Sequence, residues 1–441
     1  MREMKAFNKS KFDVDGIPDL REAIPLGMQH VFAMFLGNIT VCMIIAGNVG
    51  ISGADLVLLV QSAMFIAGVS TLMQTHPIGK TGAKLPVVMG ASFGFLTTNI
   101  AIATNFNIRA LFGATLVGGI FCVFLGYFLK YVRRFFPSIV TGVVVLTIGL
   151  SLLPTGINSL AGGGGSSDFG SLQNWAVGLT VLILTIILNQ KAKGAIKTSA
   201  ILISIIVGYI ISMFLGMVDF TPVKQAGWFA LPKPFYFGIE FNIGAIIPML
   251  IMFIVTAVET VGDVSAITTG GAGREATEDE LSGSVIANGL SSVFSAIFNG
   301  MPTTSFSQNV GMVSFTKIMS RFVVACGAIF LILAGLVPKL GAVISTIPDP
   351  VIGGGTLVVF SQIAMTGMDI LTREPLNDRS KLIIGLSLVF GLGLSSVPDA
   401  MQYFPQAIKL IFGGSGIVIA CVTAIILNIL IPEAKEERSE N

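Results

Sequence analysis

The sequence predicts an all-α polytopic membrane protein with fourteen transmembrane spans arranged as two inverted seven-span repeats. Three observations carry that reading. Hydrophobic residues make up 53% of the 441 residues and charged residues only 11%, at a mean hydropathy of +0.86, whereas a soluble domain carries about 25% charge. Apolar stretches long enough to cross a bilayer recur along the chain. Two breaker-rich segments also recur at nearly constant separation.

In order, the spans are 24–47, 54–74, 84–103, 108–129, 137–154, 174–190, 198–217, 242–263, 281–298, 302–319, 321–338, 351–368, 381–396 and 411–431. Those at 84–103, 281–298 and 302–319 are weaker, being short or rich in Gly, Pro, Ser and Thr. An even number places both termini on one side. Loops after even-numbered spans hold Lys80, Lys84, Lys130, Arg133, Arg134, Lys191, Lys193, Lys197, Arg274, Lys317, Arg321, Arg373, Arg379 and Lys381. The tails add Arg2, Lys5, Lys9, Lys11, Arg21, Lys435 and Arg438. Of the 26 Lys and Arg, only Arg109, Lys224, Lys233, Lys339 and Lys409 fall on the opposite side. That bias makes both termini cytoplasmic in a plasma (inner) membrane.

The first 22 residues are polar and charged, so no cleavable signal peptide is expected. Cys42, Cys122, Cys326 and Cys421 stand singly in apolar runs and read as small core residues. The Gly- and Ser-rich segment 155–173 reads as a flexible outward-facing loop. Trp175, Trp228, Phe229, Phe235, Tyr236 and Phe237 read as an interfacial aromatic belt.

The repeat rests on two pairs of segments. Pro137-Ser-Ile-Val-Thr-Gly142 matches Pro350-Val-Ile-Gly-Gly-Gly355, and Leu85-Pro86 before Ser92-Phe93 matches Met301-Pro302 before Gln308-Asn309. A seven-span unit has odd parity, so its second copy lies inverted, which is the pattern of secondary transporters. Residues 86–94 and 302–309 start with Pro and continue with short or β-prone residues, so neither is expected to form continuous helix. Extended backbone at membrane depth is tolerated where protein buries it or where it lines a cavity. Two kinked packing helices are the plainer alternative.

One acid stands out. Glu259 follows the apolar run 243–258, with Asp263 one helical turn further on the same face. A carboxyl within a span costs about 2.5–3.5 kcal/mol on insertion scales, so it marks an ion, proton or substrate site. A buried structural role for Glu259 and a cap-like one for Asp263 remain the simpler readings. His30 equally suits a satisfied core histidine, and His76 beside Pro77 an ordinary loop residue.

Gln308-Asn309-Val310-Gly311-Met312-Val313-Ser314-Phe315-Thr316-Lys317 fits Q-N-x-G-x-x-x-x-T-[K/R/G]. With Gln29-His30, Glu259-Thr-Val-Gly-Asp263 and Pro348-Asp-Pro350-Val-Ile-Gly-Gly, it resembles the nucleobase–ascorbate transporter family (nucleobase–cation symporter family 2). The likeness runs from about residue 20 to 430 and points to the bacterial xanthine/urate permease type, related to uracil permease. It implies short antiparallel strands in the broken third and tenth spans. It also implies a core domain over 24–130 and 242–339 and a gate domain over 131–217 and 340–431. An external loop at 218–241 and cytoplasmic tails at 1–23 and 432–441 complete the layout.

By the same resemblance, Glu259 hydrogen-bonds the base and Gln308 reads the opposite edge of the ring. Phe93 lies near the substrate, and the Ser307 backbone can bond it. Asp263, His30, Asn309, Asn288 and Ser92 support or couple. Asn288 departs from the pattern, because several purine members carry Asp there. Gln308 offers a carbonyl and an amide on one flat group, which suits an oxopurine. Two carboxyls one turn apart resist ionising together, so proton symport is expected, with sodium the lesser choice and no cofactor. The expected ligand is a purine nucleobase, xanthine or urate or both. A homodimer in membrane lipid is expected, with no nucleic-acid partner.

The alternatives are a uracil or other nucleobase permease, or an anion carrier of the sulfate/bicarbonate type on the same architecture. A channel would need a polar, many-fold lining. An enzyme is not expected, since two histidines, no paired cysteines and no GxxxxGK[ST] leave little catalytic chemistry.

Overall fold

The computed structural model describes residues 11–132, 137–373, 375–404 and 415–431. Arg133, Arg134, Lys409, the start of the 411–431 stretch, the first ten residues and the tail 432–441 lie outside them.

The first half of the chain runs through α1 (Leu20–Asn48), α2 (Gly53–Thr75), strand β1 (Met89–Ala91), α3 (Leu96–Asn105) and α4 (Ile108–Tyr127). It continues with α5 (Ser138–Leu160), α6 (Leu172–Lys191) and α7 (Ala200–Phe214). The second half repeats this succession as α8 (Ile243–Ile267), α9 (Glu278–Ile297), strand β2 (Thr303–Ser305), α10 (Ser307–Thr316) and α11 (Arg321–Gly335). Then come α12 (Asp349–Leu371), α13 (Asp378–Ser396) and α14 (Gly416–Leu430).

Each expected span therefore contains a helix, but crossing length is a stricter test. Among the described residues, eight helices are long and apolar enough to cross a membrane. A ninth crossing follows if α11 and the short helix Pro338–Ser345, bent by 85°, count as one. The protein is thus an integral, multi-pass membrane protein.

Local sequence explains several boundaries. Helix α9 starts at Glu278, ahead of the expected 281, because Thr277 and Glu280 form a capping box: each side chain accepts from the other's backbone N–H, at 3.2 and 2.8 Å. Helix α8 overruns its expected end, passing through a π-turn at Thr268–Ala272. Helix α5 continues past Pro154 to Leu160. The loop expected to be flexible over 155–173 is shorter and hydrogen-bonded. There Asn174 Nδ2 donates to the Asp168 carbonyl at 2.9 Å, and Gly170 N–H to the Ala161 carbonyl at 2.8 Å.

The described part of the 1–23 segment is folded rather than free. Phe12 and Val14 carbonyls accept from Met319 and Arg321 N–H at 2.8 and 3.1 Å. The Arg321 guanidinium pairs with Asp15 at 2.8 Å and donates to the Thr75 carbonyl at 3.1 Å. On the other face, Trp228 is exposed beneath the Lys339 ammonium, and Tyr236 donates to Asp55 at 2.9 Å.

Helix packing is close. Helix α1 packs on α11, α2 on α11, α4 on both α8 and α9, and α5 along α12. Helices α6 and α7 pack together, as do α13 and α14. Glycines set the closest crossing of α4 and α9. A Cβ on Gly119 would stand 2.8 Å from the Gly289 carbonyl oxygen, and one on Gly289 would stand 2.6 Å from that of Gly119. Neither backbone can retreat without parting the helices. Gly119→Val should therefore cost about 1–3 kcal/mol, read as a lower thermal unfolding midpoint in detergent. Gly393→Ala, where a Cβ meets nothing within 4 Å, should leave the midpoint unchanged or slightly higher.

Candidate functional site

The site is built around a two-stranded antiparallel sheet with Met89 opposite Ser305, Gly90 opposite Thr304 and Ala91 opposite Thr303. The pairing is extended by Phe306 N–H to the Val88 carbonyl (2.9 Å) and Ser92 N–H to the Pro302 carbonyl (3.1 Å). Three residues per strand cannot satisfy a buried backbone by themselves, so helices supply the rest. Asn38 of α1 accepts from Ala91 N–H at 2.7 Å and donates to the Ala63 carbonyl of α2 at 3.0 Å. Thr71 of α2 accepts from Met89 N–H at 3.0 Å. On the other strand, Ser292 of α9 accepts from Thr303 N–H at 3.1 Å. Gly90 must lack a side chain, because a Cβ there would lie 2.7 Å from the Phe306 ring and 2.8 Å from Asn38 Oδ1.

Beside this sheet, α8 presents its two carboxyls. Asp263 is buried, and both its oxygens accept hydrogen bonds: Oδ2 from Ser305 Oγ at 2.5 Å and Oδ1 from Ser307 Oγ at 2.8 Å. Glu259 differs. Its Oε2 is buried without a hydrogen-bond partner among the described residues. Glu259, Asp263 and Ser307 line a cavity of about 610 Å³, completed by Thr141 of α5 with Thr366 and Asp369 of α12. Beyond Glu259 the space shrinks to about 10 Å³ between Val144, Ile148 and Val255. The cavity is therefore blind at Glu259, and it opens where Gly270, Asp369 and Arg373 stand. Its size falls in the range of small-molecule sites.

The other sequence-selected residues fall into separate groups. Gln308 is half-buried, next to Ser307 at the start of α10. Asn309 Nδ2 donates to the His30 carbonyl at 2.9 Å and lies 3.1 Å from His30 Nδ1. If Nδ1 accepts that bond, the ring proton sits on Nε2. Asn288 is fully buried and donates to Thr260 Oγ1 at 3.1 Å, which lies 3.3 Å from Thr304 Oγ1. It faces the back of β2. Ser92 caps the turn after β1 by accepting from Gly94 N–H at 3.1 Å. Phe93 is buried with its ring edge-to-face on Phe360 of α12, centroids 5.2 Å apart.

Sequence reasoning missed Asn38, Thr71, Ser292 and Ser305, which hold the strands and Asp263. It also missed Thr141, Thr366 and Asp369 in the cavity wall. Asn38, a lone amide in an apolar run, was the readable signal. Among the described residues, no three His, Cys, Asp or Glu are grouped to hold a metal ion.

A multi-pass chain with interrupted helices, a sheet at the break and a free carboxyl in a blind cavity has the build of a membrane carrier. Residues 21–400 match the family model Xan_ur_permease, described as a permease family. The chain belongs to this family, the nucleobase–ascorbate transporters, and is a transporter rather than an enzyme. It is 38% identical over 405 residues to the uric acid permease PucK of Bacillus subtilis, covering 91% of this chain and 94% of that one. It is 37% identical over 411 residues to a xanthine permease of the same organism, covering 93% of each. Against the xanthine permease XanP of Escherichia coli K12 it is 34% identical over 436 residues, covering 95% of this chain and 94% of that one.

Among solved structures, the fold is similar to the transmembrane domain of the cyanobacterial bicarbonate transporter BicA. The TM-score is 0.60 at 15% identity, covering 93% of this chain and 97% of that one. It is also similar to the murine anion transporter Slc26a9, with TM-score 0.62 at 14% identity, covering 98% of this chain and 72% of that one.

Removing the Asn38 amide should strip Ala91 N–H of its acceptor. Leaving one buried donor unpaired costs about 1–3 kcal/mol. Asn38→Ala should therefore lower the unfolding midpoint and weaken ligand binding together, which thermal unfolding with and without ligand will separate from a purely local effect.

Proposed function

We propose that this protein imports a purine nucleobase, xanthine or urate, by proton symport with alternating access. The observation that carries the reading is Glu259, whose unpartnered oxygen stands at the blind end of the cavity. A planar oxopurine offers ring N–H groups to that carboxyl, and its carbonyls and remaining N–H groups suit the Gln308 amide. Charge-assisted bonds of this kind contribute about 1.5–3 kcal/mol each. The names of the Bacillus and Escherichia relatives support the substrate class. They also argue against an anion carrier, since the likeness to BicA and Slc26a9 is one of fold. A uracil permease is the remaining variant within the family.

Fourteen spans in two inverted repeats suit the packing. Shifting α1–α7 onto α8–α14 turns the α1–α11 contact into α8–α4 and the α2–α11 contact into α9–α4, and it returns α5–α12 to itself; each is an observed pair. In this reading α1–α4 and α8–α11 are the core that carries the ligand, and α5–α7 and α12–α14 are the gate. The cavity opens at the end that the basic residues assign to the cytoplasm, which supports an inward-facing state with both termini inside the plasma membrane. Two such chains pairing as a homodimer would suit the family.

Radiolabelled xanthine uptake, with urate, uracil and hypoxanthine as competitors, tests this in cells without their own carriers. Saturable uptake, blocked by urate and raised at low external pH, is expected. Glu259→Gln should raise the KM about ten- to a hundredfold and flatten the pH response. Uptake that follows sodium and ignores a collapsed pH gradient would overturn the coupling, and no uptake of any base would overturn the substrate class.

A further inference from the structure

The two carboxyls of α8 are one turn apart yet have opposite surroundings. Glu259 points an unpartnered oxygen at the end of the cavity, whereas Asp263 has an acceptor bond on each oxygen. The donors lie on either side of one junction: Ser305 is the last residue of β2 and Ser307 the first of α10. Between them Phe306 has extended backbone, at φ −98° and ψ 107°, and its N–H is committed to Val88. The chain therefore turns from strand to helix with a single carboxylate bridging the two ends of the turn. Phe306 supplies no side-chain cap to α10, and among the described residues Asp263 is the side chain whose hydrogen bond ties the start of α10 to α8.

We propose that Asp263 is a positioning residue that clamps the β2–α10 junction and so sets where Ser307 and Gln308 stand, leaving Glu259 as the carboxyl that meets the ligand. This rests on the nucleobase reading only for the identity of the ligand. The division of labour follows from hydrogen-bonding capacity. An ionised carboxylate accepts from both hydroxyls at once in charge-assisted bonds, whereas an amide would accept from one and donate to the other in weaker neutral bonds. The two serines are thus best served by an acid at this position, and it fixes the start of α10 against α8. Loss of the clamp leaves the start of α10 tied to α1 through Asn309 but no longer to α8, which misplaces Gln308 relative to Glu259 without touching either.

The test reports on the junction directly and needs no substrate. In a Cys326→Ser background, Gln308→Cys is labelled with a maleimide in isolated membranes. Asp263→Ala and the double variant Ser305→Ala/Ser307→Ala should each raise the labelling rate about tenfold, and Asp263→Asn should fall between them and the parent. Combining Asp263→Ala with the two serine changes should add nothing further. In uptake assays on the Gln308 protein, both the serine double variant and Asp263→Asn should raise the xanthine KM while keeping the pH response that Glu259→Gln loses. If Asp263→Ala fails to reach the membrane, the serine double variant carries the test. Parental labelling rate and KM in that variant would overturn the proposal, as would loss of the pH response in Asp263→Asn. A wild type that transports no base would defeat the transport reading and leave the labelling result to decide the clamp.

Discussion

Extended backbone cannot remain unpaired inside a bilayer, and the centre of this protein is organised by that constraint. Two three-residue strands, one from each half, pair with each other and hand their leftover donors to Asn38, Thr71 and Ser292. Because those side chains come from α1, α2 and α9, the strands register these helices against one another. The same arrangement starts two helices, α3 and α10, just after the strands. It leaves the first turns of α3 and α10 beside the strands, where an interrupted helix can offer backbone groups to a ligand.

The carboxyls of α8 complete this arrangement from the side. A buried acid is tolerated where its oxygens are hydrogen-bonded or where it meets a cavity, and the two acids divide these solutions. Asp263 takes the first, through Ser305 and Ser307, and Glu259 takes the second. The cavity wall opposite comes from α5 and α12, which lie along each other. The cavity at Glu259 therefore lies between α8 and the start of α10 on one side and α5 and α12 on the other.

Much of this was legible in the sequence because it depends on local chemistry. Pro86 and Pro302, each followed by small or β-prone residues, marked the breaks, and both breaks contain strands. The spacing of Glu259 and Asp263 put them on one helix face. What escaped was long-range. Asn309 meets His30 and Asn38 meets Ala91 across distances that no periodicity encodes. The edge-to-face contact of Phe93 with Phe360 likewise depends on how α12 packs. The run of α5 through Pro154 escaped because proline marks a probable boundary, and packing along α12 carried the helix beyond it.

The pairing of β1 with β2 also imposes an order of events during synthesis. Residues 89–91 leave the ribosome long before 303–305. At about 5–20 residues per second, the delay is on the order of ten to forty seconds. Through that interval the first strand has Asn38 and Thr71 but no partner strand. The nascent first half must wait with part of its central backbone unmatched, sheltered by its own helices or by the insertion machinery. The cavity beside Glu259 cannot be complete before the tenth helix brings Ser307 and Val310, so a chain halted between the two strands lacks part of its wall.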